Sequence, residues 1–177
     1  MQRPLLLFVA MMLGVALQAQ YLAENRATPK PADAYAQGEQ AYRRGDHEEA
    51  VRLFTEAIKA DPGHLNAFLH RAFCLNILKR YEEAITDLTV VIGREPAHAL
   101  AYTTRGSSYL KAGRPDLALA DLEKVISLEP RNEEAWNNIG WAHKSTGDMA
   151  AACKAWRTSQ RMGNGEAKII LNNNRCK

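Results

Sequence analysis

A chain of 177 residues, 46% of them hydrophobic, is long and apolar enough to form one domain with a sizeable core, so disorder is not expected. The formal net charge is only +3, and the basic doublets Arg43-Arg44 and Lys79-Arg80 fall at predicted turns between helices. This pattern argues against a nucleic-acid-binding protein, which needs clustered positive charge.

Residues 1–19 have the pattern of a secretory signal peptide. Arg3 supplies a positive charge, and residues 5–17 form an uncharged apolar run. This run is shorter than the roughly 20 residues that a membrane-spanning helix needs. We therefore expect cleavage after Ala19 and export, so that the protein is periplasmic or secreted. The alternative is an uncleaved membrane anchor that extends over residues 5–22.

Residues 20–30 are polar and form a predicted linker. A repeat with a period of 34 residues begins after it. Four units follow one another, over residues 31–64, 65–98, 99–132 and 133–166. Each unit contains two short amphipathic segments separated by a turn, and a hairpin of this size cannot cover its own apolar face. The period therefore predicts a solenoid in which every unit packs on the next.

The third unit shows the helical pattern most clearly. One face of its first helix consists of Tyr102, Gly106 and Tyr109, spaced three or four residues apart. Gly113 permits the positive φ of a tight turn, and Pro130 stops the second helix. The second helix has an apolar face formed by Ala118, Leu119, Leu122, Val125 and Ile126.

These spacings resemble those of the tetratricopeptide-repeat family over residues 31–166. The family signature has an aromatic residue at position 4, glycine at 8, alanine at 20, a large apolar residue at 24 and proline at 32. In the third unit these positions hold Tyr102, Gly106, Ala118, Leu122 and Pro130. The resemblance implies an all-α fold, a tetratricopeptide-like right-handed solenoid of antiparallel helix hairpins. It implies a function much less specifically.

No motif for catalysis or cofactor binding occurs in the sequence. There is no Cys-x-x-Cys, His-Glu-x-x-His, Gly-x-Ser-x-Gly or phosphate-binding glycine loop, and the five histidines are scattered. We therefore expect a protein that is not an enzyme and that needs no cofactor or metal. An enzyme with an unrecognised site is the weaker alternative.

The resemblance implies that the first helices of successive units line a concave groove. The partner-binding residues that it places there are Tyr35, Glu39, Tyr42, Leu69, Phe73, Asn76, Ile77, Thr103, Ser107, Leu110, Asn137, Trp141 and Lys144. The apolar ones are not framework positions, so they are expected to form an exposed interaction patch, with Phe73 and Trp141 as anchors. Family members that clamp an acidic C-terminus carry Lys and Asn where this chain has Tyr35 and Glu39, so that clamp is absent.

We therefore expect a protein-protein interaction scaffold: an exported adaptor or assembly factor that binds another protein or a peptide segment in the groove. The alternative is a membrane-anchored structural subunit that self-associates through the same groove. Nucleic acid is not an expected partner, and a membrane is one only if the N-terminal segment stays uncleaved.

Residues 165–177 are predicted to form a capping helix and tail over the last unit. Cys153 takes the repeat position of Val51, Ile85 and Leu119, so it should face this cap. A chain reversal near Gly163 then brings it to about the level of Cys176, which makes these two cysteines a candidate disulfide. The alternative is that both thiols stay reduced. Cys74 is expected to be a small buried side chain.

Overall fold

The computed structural model describes residues 31–174 and Cys176. The predicted signal peptide or anchor at 1–19 and the linker at 20–30 lie outside the described residues, so both stay predictions. Among the residues described, no helix combines the length and the apolar character that crossing a membrane requires.

Within residues 31–174 the chain forms nine helices and no strand. Their bounds are α1 (Pro31–Arg44), α2 (His47–Ala60), α3 (Leu65–Ile77), α4 (Tyr81–Arg94), α5 (Ala99–Lys111), α6 (Pro115–Leu128), α7 (Glu133–Ser145), α8 (Met149–Arg161) and α9 (Gly165–Asn173). Two helices fall within each of the four 34-residue units, and each helix packs on the one before it and the one after it. The predicted all-α solenoid of helix hairpins is confirmed.

The first helices of the units form the inner layer of the solenoid. Contacts join α1 to α3, α3 to α5 and α5 to α7, whereas the second helices make no comparable contact with one another in the described part of the chain. Helices on the inside of a curved array approach one another more closely than those on the outside. The concave face is therefore lined by α1, α3, α5 and α7.

The turn inside each hairpin uses a left-handed residue. Gly45, Gly113 and Gly147 have φ values of 84°, 76° and 87°, which glycine adopts without steric cost. At the equivalent position of the second unit the chain has Lys79, with φ of 62°. A residue with a Cβ is strained there, so this turn is less favourable than the other three.

Side-chain caps start the first helices of the second, third and fourth units and the final helix. Nδ1 of His64 accepts from the backbone N–H of Ala67 at 3.2 Å, and His98 caps α5 in the same way. Asn132 and Asn164 cap α7 and α9 through their Oδ1 atoms. These caps satisfy backbone donors that the helix leaves unpaired, which explains two of the scattered histidines without any chemistry.

Small residues at position 8 make room for large ones at position 24 of the same unit. A Cβ on Gly38 would lie 2.7 Å from the Phe54 ring, and one on Gly140 would overlap the Trp156 indole. Phe54 and Trp156 are fully buried. The close approach of the two helices in each hairpin therefore depends on these glycines.

Charged residues also pack between the repeats. Arg105 of α5 donates two hydrogen bonds to Asp121 of α6, at 2.8 and 2.7 Å, and a third to the Thr89 hydroxyl of the preceding unit at 3.0 Å. The second unit has the same arrangement in Thr55, Arg71 and Asp87. In the fourth unit the Arg and Asp positions hold Ile139 and Ala155, which are buried and apolar.

Helix α9 covers the end of the last repeat. Ala152, Trp156 and Leu171 form a buried cluster between α8 and α9, with Cys176 packed against it. The sulfur atoms of Cys153 and Cys176 are bonded, and the two Cα atoms are 5.5 Å apart. This bond links α8 to the chain that follows α9, so the cap is covalently attached to the repeat it covers.

Candidate functional site

Most of the residues predicted to line the groove keep exposed side-chain surface. Ten of the thirteen predicted groove residues keep a partly or fully exposed side chain: Tyr35, Glu39, Tyr42, Phe73, Asn76, Ile77, Ser107, Leu110, Trp141 and Lys144. The most exposed apolar ones are Ile77, at 51%, and Tyr42 and Trp141, each at 37%. The groove is therefore a mixed surface with large apolar side chains open to solvent.

Three of the predicted groove residues offer almost no surface. Leu69, Thr103 and Asn137 are 6%, 3% and 8% exposed, so the expectation that they present side chains to a partner was wrong. All three occupy position 5, where Tyr35 of the first unit contacts His70 on the neighbouring first helix. Position 5 thus lies where the inner helices meet, and shorter side chains there are covered.

The two predicted anchors also pack against the core. Phe73 is half-buried against the core cluster of the first two repeats, with its ring 5.9 Å from that of His70. The Trp141 ring lies edge-on to the buried Trp156, at 5.3 Å and 72°. Each predicted anchor therefore combines contacts to the core with a partly exposed side chain.

Helix α7 and the cap share the far end of the groove. The Lys144 ammonium donates a hydrogen bond to Oδ1 of Asn174 at 2.7 Å and lies 4.9 Å from the centre of the Trp141 ring. A cation in that position is attracted by the face of the ring. This end of the groove therefore already contains a cation of its own.

Between the two ends the groove carries uncharged polar groups. The amide oxygen of Asn76 accepts a hydrogen bond from the hydroxyl of Ser108 at 2.8 Å, which ties α3 to α5. Ser107 and Leu110 are half-buried beside it. Ile77 is the most exposed of the predicted apolar groove residues.

The opposite end carries an aromatic and carboxylate cluster that the sequence pattern did not predict. The Tyr35 hydroxyl lies 3.4 Å from Oε1 of Glu39 and 3.1 Å from Nδ1 of His70. Both hydrogen bonds form when the Tyr35 hydroxyl donates to the Glu39 carboxylate and accepts from an Nδ1–H of His70. The Tyr35 ring also contacts His64 at 4.4 Å and Phe54 at 5.7 Å.

Burial sets the charge of this cluster. Burial lowers the pKa of His70, against the opposing attraction of Glu39 and with the help of His64. Burial and the neighbouring Glu39 carboxylate raise the pKa of Tyr35. At neutral pH the imidazole of His70 and the phenol of Tyr35 are therefore both uncharged.

In the described part of the chain, two clefts lie between neighbouring repeats and outside the groove. One of about 400 Å³ lies between the first two repeats, and its central groups, Arg71 and Asp87, are already paired with each other. Another of about 240 Å³ lies between the last two, and its lining is mostly apolar, with Glu123 and His143 as its polar members. Among the described residues no group of three His, Cys, Asp or Glu side chains could hold a metal ion.

Two family models match the sequence. One is described as the anaphase-promoting complex, cyclosome, subunit 3 family and matches residues 16–91. The other is described as the tetratricopeptide repeat and matches residues 103–166. Among curated proteins, none matches the chain significantly.

Solved structures share the fold at low sequence identity. A fragment of MamA from Desulfovibrio magneticus RS-1 has a TM-score of 0.73 at 23% identity over 76% of each chain. YrrB, described as a tetratricopeptide-repeat protein with an unusual peptide-binding site, has a TM-score of 0.77 at 18% identity, over 95% of this chain and 87% of YrrB. A tetratricopeptide-repeat protein from Thermus thermophilus has a TM-score of 0.69 at 18% identity, over 81% of this chain and 80% of that one. At these identities the likeness shows the fold alone.

Proposed function

Because the chain belongs to the tetratricopeptide-repeat family, we propose that it is an exported adaptor or assembly factor that binds a partner segment along its concave face. Proteins with this fold commonly bind other proteins or peptides, and they are generally scaffolds rather than enzymes. The apolar run at residues 5–17 supports export.

One observation carries the binding part of this proposal. Tyr42, Ile77 and Trp141 are large apolar side chains, each more than a third exposed, and all three lie on first helices. An exposed apolar patch with polar surroundings is typical of an interaction site. Amide and hydroxyl groups between them, such as Asn76, can hydrogen-bond to an extended backbone.

Site-specific photo-cross-linking tests the use of the concave face. A benzophenone amino acid replaces either Ile77 on the inner helix α3 or Leu117 on the outer helix α6, whose exposed fractions are 51% and 48%. We expect a discrete cross-linked protein at Ile77 and none at Leu117. Equal cross-linking at the two positions, or a product at Leu117 alone, would contradict the proposed groove.

The mass of the chain recovered from cells tests the proposed export. Cleavage after Ala19 gives a soluble product that begins at Gln20. An intact chain recovered with the membrane fraction would instead favour the anchored subunit. In that case gel filtration of wild type and Ile77→Asp, in detergent, shows whether the groove joins two copies of the chain.

A further inference from the structure

Glu39 is a half-buried carboxylate at the first end of the groove. Its side chain is 32% exposed, and its nearest basic group is Nδ1 of His70, at 3.8 Å. Within the described residues it forms no ion pair with a lysine or an arginine. Other glutamates of the chain do: Glu83 pairs with Arg80 at 2.7 Å, and Glu82 with Arg114 at 2.7 Å.

The groups around Glu39 leave its charge uncompensated. His70 is held neutral by burial, and the Tyr35 hydroxyl donates only a neutral hydrogen bond. A carboxylate that has lost part of its hydration gains more from a cation than one that is fully exposed. The site is therefore arranged to receive positive charge from outside the chain.

Aromatic rings lie on both sides of this carboxylate. Tyr35 and Tyr42 come one helical turn before and one turn after Glu39 on α1, so all three share one face. On the adjacent helix α3, Phe73 occupies position 9 of its unit, as Glu39 does in the first unit. A cation beside Glu39 would therefore lie close to aromatic rings, which attract positive charge.

We propose that the Glu39 end of the groove binds a lysine or arginine side chain of the partner segment, with an apolar neighbour of that residue on Ile77. This inference rests on the proposed function, since it assigns a chemistry to the partner that the concave face holds. It also agrees with the absence of the Lys and Asn residues with which other family members clamp an acidic C-terminus, because Glu39 would repel a carboxylate of the partner.

Among the described residues, Arg43 is a cation on the same helix that could compete for Glu39. It lies four residues further along α1 and is exposed, and it forms no ion pair with Glu39 in the structure. Exposed pairs at this helical spacing stabilise by only about 0.3–0.5 kcal/mol, so Arg43 would not hold the site closed. Its removal should strengthen the binding of an external cation.

NMR titration of the isotope-labelled full-length chain with three short peptides tests the inference. The probes are acetylated, amidated pentapeptides of sequence Ala-Leu-X-Leu-Ala, in which X is lysine, norleucine or glutamate. We expect the lysine peptide to shift the signals of Tyr35, Glu39, Tyr42 and Phe73 in a saturable way. The norleucine peptide should bind about fivefold more weakly, and the glutamate peptide more weakly still.

Charge-neutral variants supply the decisive comparison. Glu39→Gln should lower the affinity for the lysine peptide to that for the norleucine peptide. Glu123→Gln, which removes the same charge from an exposed site on the outer helix α6, should leave it unchanged. Arg43→Gln should raise it.

Equal affinity for the lysine and norleucine peptides, or an unchanged affinity in Glu39→Gln, would overturn the inference. So would a preference for the glutamate peptide. None of these results bears on the cross-link at Ile77, because a groove that binds an uncharged segment would still give that product. Failure of this inference is therefore distinguishable from failure of the proposed function.

Discussion

Arg71 and Asp87 join the two helices of the second repeat through two parallel hydrogen bonds. Nε of Arg71 donates to Oδ2 of Asp87 at 2.8 Å, and Nη2 donates to Oδ1 at 2.6 Å. The Asp87 side chain is only 3% exposed, and its burial raises the pKa of the carboxyl in spite of the guanidinium beside it. The Arg71 guanidinium therefore stabilises the charge of the Asp87 carboxylate, which the protein interior would otherwise disfavour.

Removal of Arg71 alone should be much more harmful than removal of the pair. Arg71→Ile leaves the Asp87 carboxylate buried without a cation, and we expect a loss of roughly 3 kcal/mol in the free energy of unfolding. Arg71→Ile with Asp87→Ala reproduces the Ile139 and Ala155 of the fourth repeat and should lie within about 1 kcal/mol of wild type. Urea denaturation of the single and double variants measures the coupling.

The hydroxyl of Thr55 does not complicate this comparison. It also donates to the backbone carbonyl of Val51 at 2.7 Å, so it keeps a partner when Arg71 is gone. The cycle is completed by the single variant Asp87→Ala, and additive losses in Arg71→Ile, Asp87→Ala and the double variant would show that the pair contributes no coupling.

Two substitutions of glycine by alanine should have opposite effects. In Gly140→Ala the new methyl group overlaps the Trp156 indole, which is fully buried and cannot move aside. We expect a loss of roughly 1–3 kcal/mol, as for other overpacked cores. Gly93 lies near the end of α4 with nothing within 4 Å of a Cβ, so Gly93→Ala should stabilise the helix by about 0.5–1 kcal/mol.

Thermal unfolding followed by circular dichroism tests this pair. The two variants add the same methyl group, so the difference in melting temperature reports the local space alone. A melting temperature in Gly140→Ala equal to that of wild type would mean that α7 and α8 do not approach as closely as the structure shows.

Much of the fold could be predicted from the sequence because its determinants recur every 34 residues. A glycine opposite a large residue determines how closely the two helices of a unit approach, and the recurring left-handed turn determines where the chain reverses between them. The repeat also contained the signal for the ion pairs, since Arg71 and Arg105 are one period apart, as are Asp87 and Asp121. The contact within each pair could not be predicted without the hairpin geometry, which brings together residues that are 16 positions apart in sequence.

The exposure of the groove residues was harder to predict. Leu69 and Ile77 are both apolar residues of α3, yet one is 6% and the other 51% exposed. The difference depends on how closely neighbouring first helices approach, which is a tertiary property that the repeat alignment does not contain. The Tyr35, Glu39 and His70 cluster was missed for a related reason, because it joins position 5 and position 9 of one unit to position 6 of the next.

The left-handed turn of the second repeat offers a stabilising change. Lys79→Gly removes the strain of a Cβ at φ of 62°, a benefit partly offset by the greater freedom of glycine in the unfolded chain. We expect a net gain of up to about 1 kcal/mol. Lys124→Gly, in the middle of α6, is the control and should cost about 1 kcal/mol. A loss of stability in Lys79→Gly would show that the lysine side chain itself stabilises this turn.

The bond between Cys153 and Cys176 should be the main constraint on the C-terminal cap. It closes a loop with a sequence separation of 23, for which the chain-entropy model gives about 3 kcal/mol. Reagent added to the denatured but unreduced protein should therefore label one thiol, that of Cys74. In the native protein the labelling of Cys74 should be slow, because burial raises the pKa of its thiol to about 11 and keeps it protonated.

Cys176→Ser should lower the free energy of unfolding by about 3 kcal/mol under oxidising conditions and by little in excess reductant, where wild type has lost the same constraint. Three labelled thiols in the unreduced chain, or equal losses in both conditions, would show that the cap is held by packing on Trp156 alone.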